Sequence, residues 1–358
     1  MQNMKHVDQM MRQAVVDGIF PGGVLLASRE GRIHFQGAYG TANAVTGEPV
    51  THETVFDLAS LTKPLCTTLA VIHLIQNGRL KPDDPIGHFL PELKTSGKGD
   101  IHIEHLLRHT SGLPEYRPYF ETLRDVPGKE RKQRLWGLLA TEPLESGIGA
   151  ETLYSDPGFL MLQQVIETVS GTCLDRLAEK TIFEPLGIKK LFFAGPETTS
   201  AGIHFAATED CPWRRRILQG EVHDDNAWII GGVAGHAGLF GDIAGVYLLL
   251  TELLRTWHGH FRQSVFSPGL VRNFLSTDTP GIRAMGFDTP SMDGPSCGRY
   301  FSPHTVGHLG FTGTSFWMDL ARKIIVILLT NRIHPTRENM GIREFRPRIH
   351  DAVMAALL

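Results

Sequence analysis

Residues 56–78 read FDLASLTKPLCTTLAVIHLIQNG. The apolar stretch from Leu61 to Leu80, broken only at Asn77-Gly78, predicts a buried helix with glycine at its stop. Ser60 and Lys63 stand at its head. On a helix, residues three apart share a face one turn apart, so the two side chains come within reach of each other. A serine hydroxyl is a weak nucleophile, and a nearby amine accepts its proton only when the amine is partly neutral. Burial at the start of an apolar helix lowers a lysine pKa, and the partial positive charge of the helix N-terminus acts in the same direction. Taken alone, Ser-x-x-Lys is a short and common pattern. Its plain reading is a helix cap followed by a surface lysine.

Outward from this segment, Met4 to Ile19 carries apolar residues at helical spacing and predicts an opening amphipathic helix. GVLLASREGRIHFQGAYG (23–40) reads as two strands around a turn at Arg29–Arg32. Residues 81–200 mix helix-period runs, at 101–110, 131–140, 157–171 and 173–187, with loops rich in Pro and Gly. None alternates cleanly, so this region is expected to be mainly helical. A further helix is expected at 245–257. The stretch TVGHLGFTGTSFWMDLARKIIVILLTNR (305–332) holds two strand-like runs joined by a turn at Ala321–Lys323, and a last helix is expected from about Arg346 to Leu358. Strands lie at both ends of the chain and helices between them. The economical fold is α/β of the α+β type, with one antiparallel sheet built from both termini. The α/β part covers about 1–58 and 229–358, and a mainly helical part about 59–228.

Composition narrows the function. The 358 residues are 42 % hydrophobic and 20 % charged, with a net charge of −3, which excludes general disorder and gives no basic field for nucleic acid or anionic lipid. No run approaches the roughly 18 apolar residues of a membrane span. The N-terminus has no continuous apolar core of a secretory signal, so a cytoplasmic location is expected. Four scattered cysteines, Cys66, Cys173, Cys211 and Cys297, form no CxxC pair and read as reduced thiols.

Three more segments give Ser60 and Lys63 a context. Tyr154-Ser155-Asp156 precedes the helix at 157–171, where positive potential is expected to lower the phenol pKa. His308-Leu309-Gly310 falls in a strand, with a glycine that would admit close approach of a ligand. IHIEHLLRHTSGLPEY (101–116) completes the set. In this order and spacing the chain resembles the serine β-lactamase and penicillin-binding-protein superfamily, and is most similar to its class C β-lactamase-like branch. That branch includes D-aminopeptidases, DD-carboxypeptidases, family VIII esterases and N-acetylmuramyl-L-alanine amidases. The likeness runs from about residue 10 to 355.

The resemblance implies the β-lactamase/transpeptidase-like fold and a two-step acyl transfer without a cofactor. By similarity, Ser60 is the nucleophile, Lys63 its proton partner, and Tyr154 the second member of the base pair. The oxyanion hole would be the backbone N–H groups of Ser60 and Phe311. Two departures bear on recognition. Asp156 stands where the family has asparagine, and a carboxylate only accepts hydrogen bonds, so it would face a substrate N–H or ammonium, or pair with Lys63. His308-Leu309-Gly310 replaces Lys-Thr-Gly, exchanging a fixed ammonium for a group whose charge depends on pH. Both changes count against vigorous penicillin hydrolysis. Arg337 or His334, in the segment preceding the last helix, is expected to replace the lost lysine in part.

Other signals have plainer readings. His102, His105 and His109 have spacings that suggest a metal face, but no matching acidic or cysteine cluster accompanies them, and no metal is expected. Trp213-Arg214-Arg215-Arg216 is a solvated basic run or an anion contact at the pocket rim. Within GEVHDDNAWIIGGVAGHAGLFG (220–241), His223 and His236 are candidates for substrate contact, against a loop that stitches two parts of the fold together. The EVHD stretch is similar to that of cell-wall turnover proteins. The expected activity is serine hydrolysis of a small amide or ester, foremost a peptidoglycan-derived one. The alternatives are a small-ester carboxylesterase and a penicillin- or muropeptide-binding sensor without efficient turnover. Small molecules or short peptides are the expected partners; oligomeric state is left open.

Overall fold

The computed structural model describes residues 2–195, 202–260, 264–276, 283–291 and 294–358. After the opening helix, Gln2–Val16, come β1 (Gly22–Arg29) and β2 (Arg32–Asn43). They turn at Glu30-Gly31, both with positive φ (54° and 77°), the handedness a two-residue hairpin turn needs. The short strands β3 (Glu48–Pro49) and β4 (Phe56–Asp57) follow. Near the other end lie β9 (Thr305–Leu309), β10 (Ser315–Asp319) and β11 (Ile324–Thr330), with the final helix at Ile342–Leu357. These build one antiparallel sheet in the order β3-β2-β1-β11-β10-β9, so both ends of the chain meet at its centre, where Leu26 lies opposite Ile327. Three strands, rather than two runs, make up 305–330, because the Gly310–Thr314 turn divides the first run.

Seven consecutive buried residues, IIVILLT, form β11. A strand in the middle of a sheet covered on both faces needs no polar side. One face carries Leu25, Ala27, Val326, Leu328 and Trp317 and is covered by the first and last helices. The other carries Val24, Leu26, Ile325, Ile327 and Phe316 and joins the core of the helical body.

In that body the helices Gly128–Thr141 and Asp156–Ser170 occur near their expected places. The middle is less purely helical than expected. β5 (Leu191–Phe193), β6 (Ala207–Cys211) and β7 (Arg216–Gln219) fall there and β8 (Leu239–Gly241) follows beyond it, in a β4-β8-β5 sheet and a β6-β7 pair. Strands of three to five residues are too short to show an alternating pattern. None of the described helices is long and apolar enough to cross a membrane.

Candidate active site

The segment after β4 does not run straight into a regular helix. Ala59–Leu61 is a 3-10 turn, Lys63–Thr67 a wide π turn, and only Thr68–Gln76 is α-helical. Ala59 holds a left-handed φ of 47°, a strained conformation for alanine. Several bonds keep it there. Asp57 Oδ1 accepts from the Ala59 N–H at 2.8 Å, and Thr62 Oγ1 donates to Ala59 O at 2.6 Å. Thr312 and Thr314, in the turn after β9, donate to the carbonyls of Asp57 and Leu58. Sheet edge and Ser60 segment are thereby locked together, and the backbone N–H groups of Ser60 and Phe311 donate to no protein acceptor among the described residues. Ser60 and Phe311 both line a cavity of about 390 Å³.

Lys63 Nζ donates to Ser60 Oγ at 3.0 Å and to His236 O at 3.2 Å, with its side chain fully buried. Asp156 Oδ1 lies 2.7 Å from Nζ, and the two form a buried ion pair. The expectation of a depressed lysine is corrected here. Burial does push Lys63 down, but the neighbouring Asp156 carboxylate and Tyr154 outweigh it, and the amine is held above its ordinary value as an ammonium. The expectation for Tyr154 is corrected too. Burial pushes the phenol up, and the Asp156 charge adds to it, against the opposing pull of Lys63. The ring of Tyr154 stacks on His109 at 4.6 Å, with Lys63 Nζ 4.7 Å from its centroid and the Arg283 guanidinium 5.3 Å away. The HTSGLPEY segment supports it from behind: Ser155 N–H donates to His109 Nδ1 at 2.9 Å, and Ser155 Oγ caps the helix at Gly158 while donating to Pro114 O.

The remaining candidate residues divide. Asp156, His223, Phe311 and Arg337 line the cavity, together with Glu115, Tyr116, Asp224 and Asp225. Arg337 does not offer a free positive charge, because Glu209 binds it at both Nε and Nη2. Glu209 is held at about 2: burial pushes it up, and the hydrogen bonds from His223 and Arg337 more than reverse this. His334 is no substitute for a lysine either. Its Nδ1 bonds Thr208 O, its Nε2 accepts from the Ala44 N–H, and it is buried. His308 is not a switchable cation at neutral pH, since burial chiefly pushes it down to about 4. Gly310 is needed for protein packing rather than for a ligand: a Cβ there would sit 2.0 Å from Thr314 Oγ1 and 2.7 Å from Leu58 O. His236 is buried and acts through its carbonyl on Lys63, while its Nε2 bonds Asp224 at 2.9 Å. Arg214 is neither solvated nor at an anion site; it is buried against Val222 O, His223 O and Asp225.

Among the described residues, Asp156, Asp224 and His236 bring one ligand atom each within 4.8 Å. The Lys63 ammonium already supplies the positive charge beside Asp156. His102 and His105 stack on each other, whereas His109 faces Tyr154.

Two groups with no motif of their own also shape the site. Asp57 accepts the His223 N–H at 2.7 Å as well as that of Ala59, tying the 220–241 loop to the Ser60 segment. Arg346, buried in the last helix, donates to Gly310 O and Thr314 O at 3.1 and 2.9 Å. Gly310 O belongs to the same peptide as the Phe311 N–H. Asp57 stands three residues before the serine, and its remote partner His223 hid its role; Arg346 was hidden by its own distance along the chain.

Known proteins resemble this chain over most of its length. The chain is 30 % identical over 371 residues to a putative D-alanyl-D-alanine carboxypeptidase of Escherichia coli K12, covering 93 % of this chain and 83 % of the relative. It is 31 % identical over 366 residues to the N-acetylmuramyl-L-alanine amidase of Bacillus subtilis, covering 93 % and 82 %. Among solved structures, EstCE1, a hydrolase with promiscuous acyltransferase activity, superposes with a TM-score of 0.78 at 25 % identity, over 98 % of both chains. An octameric penicillin-binding protein homologue from Pyrococcus abyssi shares the fold at a TM-score of 0.74 and 20 % identity, over 99 % of this chain and 76 % of that one. The model of the beta-lactamase family matches residues 7–346, and the protein belongs to that family as one of its serine hydrolases.

Proposed function

We propose that the chain hydrolyses a small amide or ester through an acyl-enzyme on Ser60, with a peptidoglycan-derived peptide or amide as the first substrate class. The observation that carries this reading is Ser60 Oγ 3.0 Å from Lys63 Nζ in the wall of an open cavity. Ser60 Oγ attacks the carbonyl carbon, and the N–H groups of Ser60 and Phe311 receive the oxyanion. Lys63 and Tyr154 return a proton to the leaving group, and water then releases the acid. Asp156, His223, His308 and Arg337 belong to the substrate side of this scheme, Arg337 by holding Glu209 in place rather than by pairing with an anion.

The cavity wall carries Glu115, Asp156, Asp224 and Asp225, and its arginine is already neutralised. This charge pattern supports neutral or amine-bearing amides over the carboxylates of penicillins. The names of the amidase and carboxypeptidase relatives support the peptidoglycan class. A small ester is the second reading, favoured by the likeness to EstCE1. A cytoplasmic location fits recycling of soluble fragments. The test is fluorophosphonate labelling followed over time, then a substrate panel of muropeptides, D-amino-acid amides and p-nitrophenyl esters. Wild type is expected to label at Ser60, Ser60→Ala to keep its melting temperature and take no label, and an amide to turn over. Persistent label with no turnover of any substrate would favour the sensor instead.

A further inference from the structure

The proton inventory around Ser60 does not balance for attack. Ser60 carries its hydroxyl proton, Lys63 is an ammonium and Tyr154 a phenol, so neither partner named for the serine is a base in the resting enzyme. Among the described residues, one anion touches this cluster: Asp156, with Oδ1 2.7 Å from Lys63 Nζ. We propose that Asp156 is the terminal acceptor of the Ser60 proton, reached through Lys63. The proposal rests on the acyl-enzyme reading above and deepens it.

The step closes without a co-reactant. Lys63 passes one N–H proton to Asp156, leaving an amine and a carboxylic acid. The amine takes the Ser60 proton as the Oγ–carbon bond forms and the carbonyl π pair moves onto oxygen. On collapse that pair re-forms the carbonyl, the bond to the leaving group breaks, and the leaving group receives a proton from Lys63, directly or through Tyr154. Asp156 then returns its proton to Lys63. The 2.7 Å contact gives this proton its path, and the Asp156 side chain, 17 % exposed, also lines the cavity. Bound substrate excludes water, and a drier site favours the neutral amine–acid pair over the ion pair.

The other ionisable groups around Lys63 are engaged differently. Asp224 Oδ1 accepts from the Ala227 N–H and meets His236 Nε2. His109 Nδ1 accepts the Ser155 N–H, and Arg283 is a cation over the far side of Tyr154. His308 Nε2 has no partner, but the ring lies across Tyr154 at 6.0 Å between centroids and binds a proton weakly. Asp156 is therefore a positioning residue that acts through Lys63.

The experiment is the second-order rate of Ser60 labelling by a fluorophosphonate between pH 5 and 10, for wild type, Asp156→Asn and Asp156→Glu. Wild-type labelling is expected to stay level through neutral pH and to fall only on acidification. In Asp156→Asn the amine loses the carboxylate that holds it up and burial pushes it down, so the variant is expected to label only above the pH at which that amine gives its proton to solvent, with a rate that climbs to a plateau as pH rises. Asp156→Glu, which keeps a carboxylate, should keep the level profile. The proposal is overturned if Asp156→Asn labels within twofold of wild type at every pH from 5 to 10, or if its loss is equal at every pH. A wild-type rate that climbs steadily into the alkaline range overturns it without any variant, even if both variants misfold. Absence of wild-type labelling at any pH refutes the acyl-enzyme reading itself, a result distinct from these.

Discussion

Replacing Arg346 with methionine separates stability from catalysis. Arg346 is buried, its Nε has no partner, and its nearest charged neighbours are cations. Burial first, then Arg332 and Arg343, push it down to about 9, so the folded protein carries its charge at a cost of a few kcal/mol. That cost is present below pH 9 and fades above it, because the folded state then binds fewer protons. Methionine removes it without orphaning the carbonyls: Gly310 O still accepts from Gly313 N, and Thr314 O from Gly310 N. Melting temperature is expected to hold or rise.

Acylation should slow. The guanidinium bonds Gly310 O at 3.1 Å, and the same peptide ends in the Phe311 N–H proposed above to receive the oxyanion. The path from cation to oxyanion is about 8 Å, worth about 2 kcal/mol at an effective dielectric near 20, or roughly 30-fold in kcat/KM. Polarisation of the shared peptide acts in the same direction. The assay is kcat/KM on an activated p-nitrophenyl ester, alongside thermal unfolding. A folded Arg346→Met variant whose kcat/KM stays within threefold of wild type would refute the reasoning, and Arg346→Lys should lose less than methionine does.

Two further outcomes follow from the packing. Ser155→Ala removes the cap on Gly158 and the bond to Pro114 O; denaturant unfolding should show a loss of about 1–2 kcal/mol, with slower labelling of Ser60 because Tyr154 loses its support. Acid should destabilise the fold through its buried histidines. His308 and His350 sit at about 4 and about 3, chiefly through burial. The unfolded chain protonates near 6.5 and the folded one does not, so stability present above that pH is lost as pH falls towards 4. The loss is of order several kcal/mol. Urea unfolding at pH 7 and 4.5 measures it, and His350→Gln should be the less acid-sensitive protein.

The parts of the molecule legible in the sequence are those set by local pattern. The hairpin at Glu30-Gly31, the apolar run of β11 and the amphipathic end helices needed only periodicity and turn residues. Ser60, Lys63 and Tyr154 were legible as a spaced set. Charge was not, because it depends on which groups the fold brings together. Lys63 reads as a depressed amine until Asp156, 93 positions later, is placed 2.7 Å away. Arg337 reads as a free anion receptor until Glu209 appears against it. The short strands β5 to β8 and the supports at Asp57 and Arg346 were hidden for the same reason, since each is defined by partners remote along the chain.

The meeting of both chain ends at the centre of the sheet has a consequence for biosynthesis. Ser60 leaves the ribosome long before β9 to β11 exist to pair beside β1, and before the helix bearing Arg346 can seat. Until then the Phe311 amide is absent, and the turn that clamps Asp57 and Leu58 has not formed. On the proposed acyl-enzyme reading, a nascent or C-terminally shortened polypeptide carries the Ser60 hydroxyl without the amide and the clamp that the completed fold sets beside it, and is expected to take no fluorophosphonate label.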